Sequence, residues 1–360
     1  MMPFEEGSDI MRARWTVSVM LAAAAVVGTD GPRLGAQARQ YAKLAEIHIG
    51  GTAGFDYLNV DPDARRLYVS NSTQVVVIDI DKNVVVGKIA DTPRVHGIAL
   101  VPGGRGFTSN GGENMASIVD LKTLQTIKKV DIGPGPDAIL YEPKNKEVYG
   151  FNHSAGTATV VKADTGDKVA TIKLSGAGVE TGVADPELGR VFVNIEDTSM
   201  IDAIDIATHQ VVGTWPVAPA AGPTGLAIDL STHRLFAGGG PNTVMIDAKS
   251  GKVVASMPIC NGTDATWFDP GTKLLFSSCG SGEGAMTIAR VDGDKLTVVQ
   301  TLQTVRGART MAIDYKTHNI YVVGQDYQPV DPNASAPAPG RRGGPPPVPD
   351  SFKAIAYGMK

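Results

Sequence analysis

Seven positions, six of them charged or ionisable, recur along the chain at nearly constant intervals. They are Asp56, His96, Asp137, Glu180, Thr224, Asp264 and Arg309, and the successive separations are 40, 41, 43, 44, 40 and 45 residues. Four carboxylates, one imidazole and one guanidinium form a dense polar set in a chain of which only 19% is charged. A fold that brings these positions together would make a site for a small ligand or a metal ion.

The chemistry of such a site depends on which donors reach one ion. Carboxylate oxygens favour Ca²⁺ or Mg²⁺, whereas an imidazole also admits Zn²⁺ or another transition metal. The expected metal ligands are Asp137, Glu180, Asp264 and His96. Alternatively, Arg309 pairs with Asp264 and Asp56, and the charges hold the structure together without a ligand.

A second set of polar residues stands near the same place in the repeat. It comprises Asn110, Asn152 and Asn194, each followed by a loop, with His153 and the Glu196-Asp197 pair directly behind. Either the amide oxygens of these asparagines join the site, or they cap turns locally. The remaining repeat histidines, His209, His233 and His318, fall in turns at the opposite end of the strands, and we expect them to be solvated.

The elements that position these residues repeat as well. In each unit an apolar strand ends in a residue that we call the marker, which is usually acidic and often followed by proline. A second strand rich in aromatic and β-branched residues comes next. The markers are at 61, 101, 142, 185, 229, 269 and 314. Two further strands, separated by turns such as Asp81-Lys82-Asn83, complete each unit of about 42 residues. Repeats of this length indicate propeller blades rather than a sandwich or a β-helix. The predicted fold is all-β, a seven-bladed β-propeller of four-stranded antiparallel blades.

The two ends of the chain predict how the ring of blades closes. The seventh unit has only three strands, the last from Phe352 to Tyr357, and an unassigned strand runs from Tyr41 to Ile49. The N-terminal strand should complete the last blade and remove an open sheet edge. A segment rich in proline and glycine, 328–350, should form a disordered or extended loop.

The repeat resembles that of the YVTN-repeat β-propellers of bacterial surface and periplasmic proteins. The resemblance rests on Gly97-Ile98-Ala99-Leu100-Val101-Pro102 with Phe107-Thr108-Ser109-Asn110, and on Leu67-Tyr68-Val69-Ser70-Asn71; it covers about residues 41–327 and 351–357. It implies a seven-bladed propeller and export, but not a specific function. Calcium-dependent lactonase and phosphotriesterase propellers also hold a metal in the channel, although no continuous motif of theirs matches here.

The first 38 residues are typical of a signal peptide. Arg12 and Arg14 precede an apolar run from Trp15 to Val27, and Ala36-Gln37-Ala38 offers a cleavage site, with Met11 as an alternative start. Residues 39–360 would then form a single propeller in the periplasm or outside the cell. An oxidising compartment favours a disulfide between Cys260 and Cys279 over free thiols or soft-metal ligands.

These observations favour an exported binding protein that holds a small molecule or a divalent cation (Ca²⁺, Mg²⁺ or Zn²⁺) at the channel mouth. A metal-dependent lactonase or hydrolase and a protein-interaction scaffold remain alternatives. A net charge of −4 argues against nucleic acid as a partner. We expect a monomer without a membrane span.

Overall fold

The computed structural model describes residues 40–329 and 345–360. The predicted signal peptide and most of the proline-rich segment lie outside these residues. Within the described ranges, no helix is long and apolar enough to cross a membrane.

The described residues form 28 strands. In chain order, the first fourteen are β1 Tyr41–His48, β2 Phe55–Asp61, β3 Arg66–Asn71, β4 Gln74–Asp79, β5 Val84–Ile89, β6 Val95–Val101, β7 Arg105–Asn110, β8 Met115–Asp120, β9 Gln125–Asp131, β10 Pro136–Glu142, β11 Glu147–Asn152, β12 Thr157–Lys162, β13 Lys168–Lys173 and β14 Val179–Asp185. The others are β15 Arg190–Ile195, β16 Met200–Asp205, β17 Gln210–Pro216, β18 Pro223–Asp229, β19 Arg234–Gly239, β20 Asn242–Asp247, β21 Val253–Pro258, β22 Thr263–Asp269, β23 Leu274–Cys279, β24 Ala285–Asp292, β25 Lys295–Gln303, β26 Met311–Asp314, β27 Asn319–Gly324 and β28 Lys353–Met359.

Seven four-stranded antiparallel sheets result, and they confirm the seven-bladed propeller. Blades 1 to 6 each use four consecutive strands, starting with β2, β6, β10, β14, β18 and β22. Blade 7 has the order β1-β28-β27-β26, so the N-terminal strand closes the ring as predicted. Gln328 donates its N–H to Pro346 and Val348 donates to Asp326, so both described ends of the 328–350 segment are extended and paired.

The hydrophobic core lies between neighbouring blades. Each second strand carries one fully buried aromatic ring at the equivalent position: Tyr68, Phe107, Tyr149, Phe192, Phe236, Phe276 and Tyr321. The rings pack against aliphatic side chains of the adjacent sheet, as in the cluster that joins blades 7 and 1. Truncating one such ring to alanine costs about 3–5 kcal/mol of stability, so the aromatic repeat holds each blade against the next.

The acidic markers at the ends of the first strands have a structural role. Their carboxylates accept backbone N–H groups of the following turn; Asp61 Oδ1, for example, accepts from Asp63 and Ala64 at 3.0 and 2.8 Å. Asp185, Asp229, Asp269 and Asp314 are also buried and receive a cationic or imidazole side chain from the next blade. These pairs are His233–Asp185, Lys273–Asp229, His318–Asp269 and Arg65–Asp314.

The three turn histidines therefore differ from the expectation of solvated side chains. They do lie at the strand ends opposite the polar set, but His233 and His318 each approach a buried aspartate of the preceding blade at 2.7 Å. His209 approaches the buried Glu147 at 2.9 Å. A turn that looks solvated within one repeat is covered by the neighbouring blade, and sequence inspection of a single unit misses this.

Candidate functional site

The recurring polar positions lie in β-bulges at the start of the first strands. In blade 1, Phe55 pairs with Asn71 and Leu58 with Val69, so Asp56 and Tyr57 stand opposite Ser70 alone. Blades 2 to 6 have the same one-residue excess at the equivalent place. A bulge interrupts the ladder and re-aims the side chain, which is why bulges are frequent at functional sites.

Hydroxyl groups from neighbouring blades fix the backbone of these bulges. Thr310 Oγ1 in blade 7 donates to the carbonyl of Asp56 in blade 1 at 2.7 Å. Ser109 in blade 2 donates likewise to the carbonyl of Asp137 in blade 3. The charged side chains are thus held in place from the adjacent sheet as well as from their own.

Acidic and basic side chains alternate around this mouth of the channel. His96 Nδ1 lies 2.6 Å from Asp56 Oδ2 and 3.2 Å from Asp137 Oδ1. His153 Nδ1 lies 3.1 Å from Glu180 Oε1 and 3.7 Å from Asp137 Oδ2. Asp137 therefore sits between two imidazoles.

Arg309 continues the alternation on the other side. Its guanidinium nitrogens lie 2.8 Å from Asp264 Oδ2 and 3.7 Å from Asp56 Oδ1. We call the connected set the polar ring; in order it comprises Asp264, Arg309, Asp56, His96, Asp137, His153 and Glu180. The side chains range from 13% exposed for Glu180 to 43% for Arg309, so water and small solutes reach them.

The structure changes the membership of the site at two positions. Thr224 does not join the alternating charges, because its hydroxyl donates to the carbonyl of Thr263 at 2.7 Å. His153, which follows the second strand of blade 3, enters the ring between two carboxylates. The seven recurring positions each lie five residues before a marker, and this spacing could not find His153, since the residue belongs to a loop and not to the first strand.

Burial and mutual charge shift the pKa values of the ring. Burial raises the pKa of Asp137 to about 7, with Asp56 and Glu180 adding to the rise while His96 opposes it. The Glu180 carboxylate, against the effect of burial, raises the pKa of His153 to about 9. Burial disfavours the charged form of His96, but Asp56 and Asp137 outweigh it, so its pKa is also raised.

These shifts revise the expected charge balance. Arg309 alone would leave three of the four negative charges uncompensated, whereas the raised pKa values of His96 and His153 favour imidazolium groups that supply further positive charge. A cation that binds here must therefore displace protons from the imidazoles, because metals coordinate the neutral ring.

Two groups of three donors have a geometry suited to one ion each. Asp56, His96 and Asp137 form one group, and Asp137, His153 and Glu180 form the other, with the donor atoms of each group within 4.8 Å of one another. Asp137 Oδ1 and His153 Nδ1 are buried atoms without a hydrogen bond of good geometry. Asp264, which the sequence places among the metal ligands, belongs to neither group and pairs with Arg309 instead.

The asparagines at the ends of the second strands are buried inside their blades. Asn110, Asn152 and Asn194 are all 0% exposed. Asn110 Nδ2 donates to Glu113 and Ser117, and Asn152 Nδ2 donates to Thr157 and Thr159. Asn194 Nδ2 donates to the carbonyl of Gly225 in the next blade. These bonds hold the amides of Asn110 and Asn152 inside blades 2 and 3 and use the amide of Asn194 to join blades 4 and 5.

Tyr57 forms the floor of the polar ring. Its hydroxyl crosses the channel from blade 1 and donates to Glu180 Oε2 of blade 4 at 3.0 Å. The sequence carries a signal for it: the residues that follow the other six positions of the repeat are small, namely Gly97, Ala138, Thr181, Gly225, Ala265 and Thr310. A single large side chain at this level can close the channel without a clash.

Beyond Tyr57 the channel continues as an apolar cavity of about 380 Å³. Its wall comes from the first strands of all seven blades and includes Leu140, Ile228, Trp267 and Tyr315. The two ends of the channel therefore differ sharply in polarity.

A disulfide lies close to the ring face. Cys260 and Cys279 are joined, with Cα atoms 5.8 Å apart. The bond links the chain before the first strand of blade 6 to the end of its second strand, on either side of Asp264.

Comparison with known proteins supports the fold alone. No protein-family model and no curated protein matches the chain. Among solved structures, it is similar to hydrazine synthase of Kuenenia stuttgartiensis, with a TM-score of 0.66 and 18% identity over 75% of this chain and 92% of that one. It is also similar to a chain of a mitotic checkpoint complex, with a TM-score of 0.67 and 13% identity over 86% and 95%. Both likenesses are those of a β-propeller.

Proposed function

We propose that this chain is an exported propeller that binds a divalent transition-metal cation at the polar ring. The observation that supports it is the position of Asp137 between the Nδ1 atoms of His96 and His153, with a second carboxylate beside each imidazole. Mixed imidazole and carboxylate donors suit Zn²⁺ and related ions better than Ca²⁺.

The environment of the ring also favours a bound cation. The carboxylates are held close together and partly buried, so they need another positive partner once the imidazoles that alternate with them lose their protons. An ion placed by Asp137, His153 and Glu180 would give a partner to His153 Nδ1, a buried atom that now lacks a hydrogen bond of good geometry. On binding it would replace the imidazolium protons as the source of positive charge.

Elemental analysis of protein purified without chelators tests the proposal. We expect about one Zn²⁺ or related transition-metal ion per chain, and we expect dialysis against a chelator to remove it. Protein that contains no metal and binds none of Zn²⁺, Mn²⁺, Ca²⁺ or Mg²⁺ would contradict the proposal, and would favour a scaffold in which the ring pairs are structural.

A metal-dependent hydrolase is a second candidate because of one observation. The two donor groups share only Asp137, so an ion held by Asp137, His153 and Glu180 would leave His96 beside it, and an imidazole in that position is suited to general base catalysis. A panel of lactones and phosphotriesters tests this role. Turnover that disappears in Asp137→Asn would favour the enzyme, and binding of metal without turnover would favour the binding protein.

Export and membership of the YVTN-repeat group belong to the same proposal. The signal-peptide pattern of the first 38 residues and the Cys260–Cys279 bond both favour an oxidising compartment. Alkylation and intact mass of native material test it. Two freely alkylated thiols would reject the disulfide, and an intact mass that still includes residues 1–38 would contradict export.

A further inference from the structure

We infer that the apolar cavity is a second binding site, separate from the polar ring, for a small uncharged aromatic or alicyclic molecule. It opens on the face opposite the ring. The inference does not depend on the metal proposal, because it concerns other side chains.

The lining of the cavity excludes a charged ligand. Among the described residues that line it, none is Asp, Glu, Lys, Arg or His. A charge transferred into such surroundings would lose its hydration without gaining a partner. We therefore expect a neutral ligand, with at most a hydroxyl or carbonyl group facing the uncharged polar residues Asn59, Thr181 and Thr266 of the lining.

Aromatic side chains favour a flat ligand. Trp267 and Tyr315 lie 6.3 Å apart between ring centroids with an interplanar angle of 47°, and Tyr141 lines the cavity as well. Aromatic rings of a ligand can pack against these faces in offset or edge-on arrangements. The volume of about 380 Å³ lies at the lower end of the range of pockets that enclose small molecules.

The cavity has one open end and one closed end. Tyr57 closes it toward the polar ring through the hydrogen bond to Glu180. On the opposite face, Leu230 and Tyr315, which follow the markers Asp229 and Asp314, line the cavity and are 50% and 42% exposed. A ligand would enter past these two side chains and stop at the tyrosine ring.

Two fluorescent probes with the same aromatic skeleton test the site. N-phenyl-1-naphthylamine is uncharged, and 1-anilinonaphthalene-8-sulfonate differs chiefly by a sulfonate. We expect the neutral probe to bind saturably at one molecule per chain and to quench the fluorescence of Trp267. The quenching is measured in Trp215→Phe, where Trp267 is the one tryptophan left among the described residues. The sulfonate should bind at least tenfold more weakly.

Paired variants locate the probe. Leu230→Asp places a charge at the entrance and should weaken the neutral probe at least tenfold, and Tyr315→Ser provides a second entrance variant should the first fail to fold. Ile127→Asp is the matched control, since Ile127 is 54% exposed on an outer strand away from the channel. His96→Gln in the polar ring should leave the probe affinity within twofold.

The results separate this inference from the metal proposal. Equal binding of both probes, or unchanged affinity in Leu230→Asp and Tyr315→Ser, would overturn it whatever the metal content. Loss of metal in His96→Gln with intact probe binding would support two independent sites.

Discussion

The hydroxyl of Tyr57 in blade 1 donates a hydrogen bond to Glu180 in blade 4, and this contact across the channel divides it into two chemically different compartments. Burial, with the charge of Glu180 next in effect, raises the pKa of Tyr57 well above its usual value, so the phenol stays protonated and remains a donor. On one side lie the carboxylates and imidazoles of the polar ring. On the other lies a cavity without charged side chains among the described residues.

Substitution of His153 tests the metal site most directly. His153→Gln removes an imidazole from the group that contains Asp137 and Glu180, and we expect at least a tenfold loss of Zn²⁺ affinity by competition with a chromogenic chelator. His48→Gln is the matched control, because the His48 side chain is 67% exposed on the outer strand of blade 7. Equal affinities in the two variants would exclude His153 as a ligand.

The apparent Zn²⁺ affinity should rise with pH. The pKa of His153 is raised to about 9 by Glu180, so at lower pH a metal ion must displace the proton of this imidazole. For each proton released on binding, the metal affinity changes by about tenfold per pH unit. Titrations at pH 6, 7 and 8 measure the slope, and calorimetry in buffers of different ionisation enthalpy counts the protons. An affinity that stays constant from pH 6 to 8 would show that the imidazoles are not ligands.

Without metal, Asp137 should limit stability at alkaline pH. Burial raises its pKa from 3.8 to about 7, so the folded protein holds this proton more tightly than the unfolded chain does. The associated stability is present below about pH 4 and is lost as the pH rises through about 7. Because each pKa unit corresponds to about 1.4 kcal/mol, we expect Asp137→Asn to stabilise the metal-free protein at pH 8 by about 1–4 kcal/mol, and to have no such advantage at pH 4.

Urea unfolding of metal-free samples at the two pH values measures this difference. Because the variant also loses a metal ligand, added Zn²⁺ should stabilise the parent and not Asp137→Asn. An advantage of the variant that is larger at pH 4 than at pH 8 would contradict the sign of the shift.

The sequence was sufficient for the architecture because each blade repeats one pattern of apolar strands, markers and turns. The same regular spacing found Asp56, His96, Asp137, Glu180, Asp264 and Arg309. It could not show the bulges that re-aim these side chains, since a bulge depends on the register of two strands and not on residue type. Nor could it show that His153 reaches Glu180 or that Tyr57 crosses the channel, because both contacts join different blades.

Because the N-terminal strand β1 closes the ring of blades, we expect a substitution of Tyr41 to destabilise the protein strongly. This side chain is 3% exposed, donates to the carbonyl of His318 at 2.9 Å and packs edge-on against Phe276 at 5.3 Å. Tyr41→Ala should lower the free energy of unfolding by about 3 kcal/mol or more. Leu44→Ala on the same strand is the control, because Leu44 is 43% exposed. Equal stabilities in urea would mean that β1 adds little to the closed ring.

The last prediction concerns His233, which the sequence alone places in a solvated turn. Its Nδ1 lies 2.7 Å from Asp185 Oδ2, and the Asp185 side chain is 1% exposed and accepts its other hydrogen bond from the Leu188 N–H. His233→Ala leaves a buried carboxylate oxygen without a partner, which costs about 1–3 kcal/mol.

Substitution of His233 tests protein stability and metal binding separately. It lies on the face opposite the polar ring, so the variant should keep its Zn²⁺ affinity while its urea midpoint falls. Asp185→Asn and the double variant complete a double-mutant cycle, in which the two substitutions should cost less together than the sum of their separate effects. If His233→Ala were as stable as the parent, the contact between His233 and Asp185 would not contribute to holding blades 4 and 5 together.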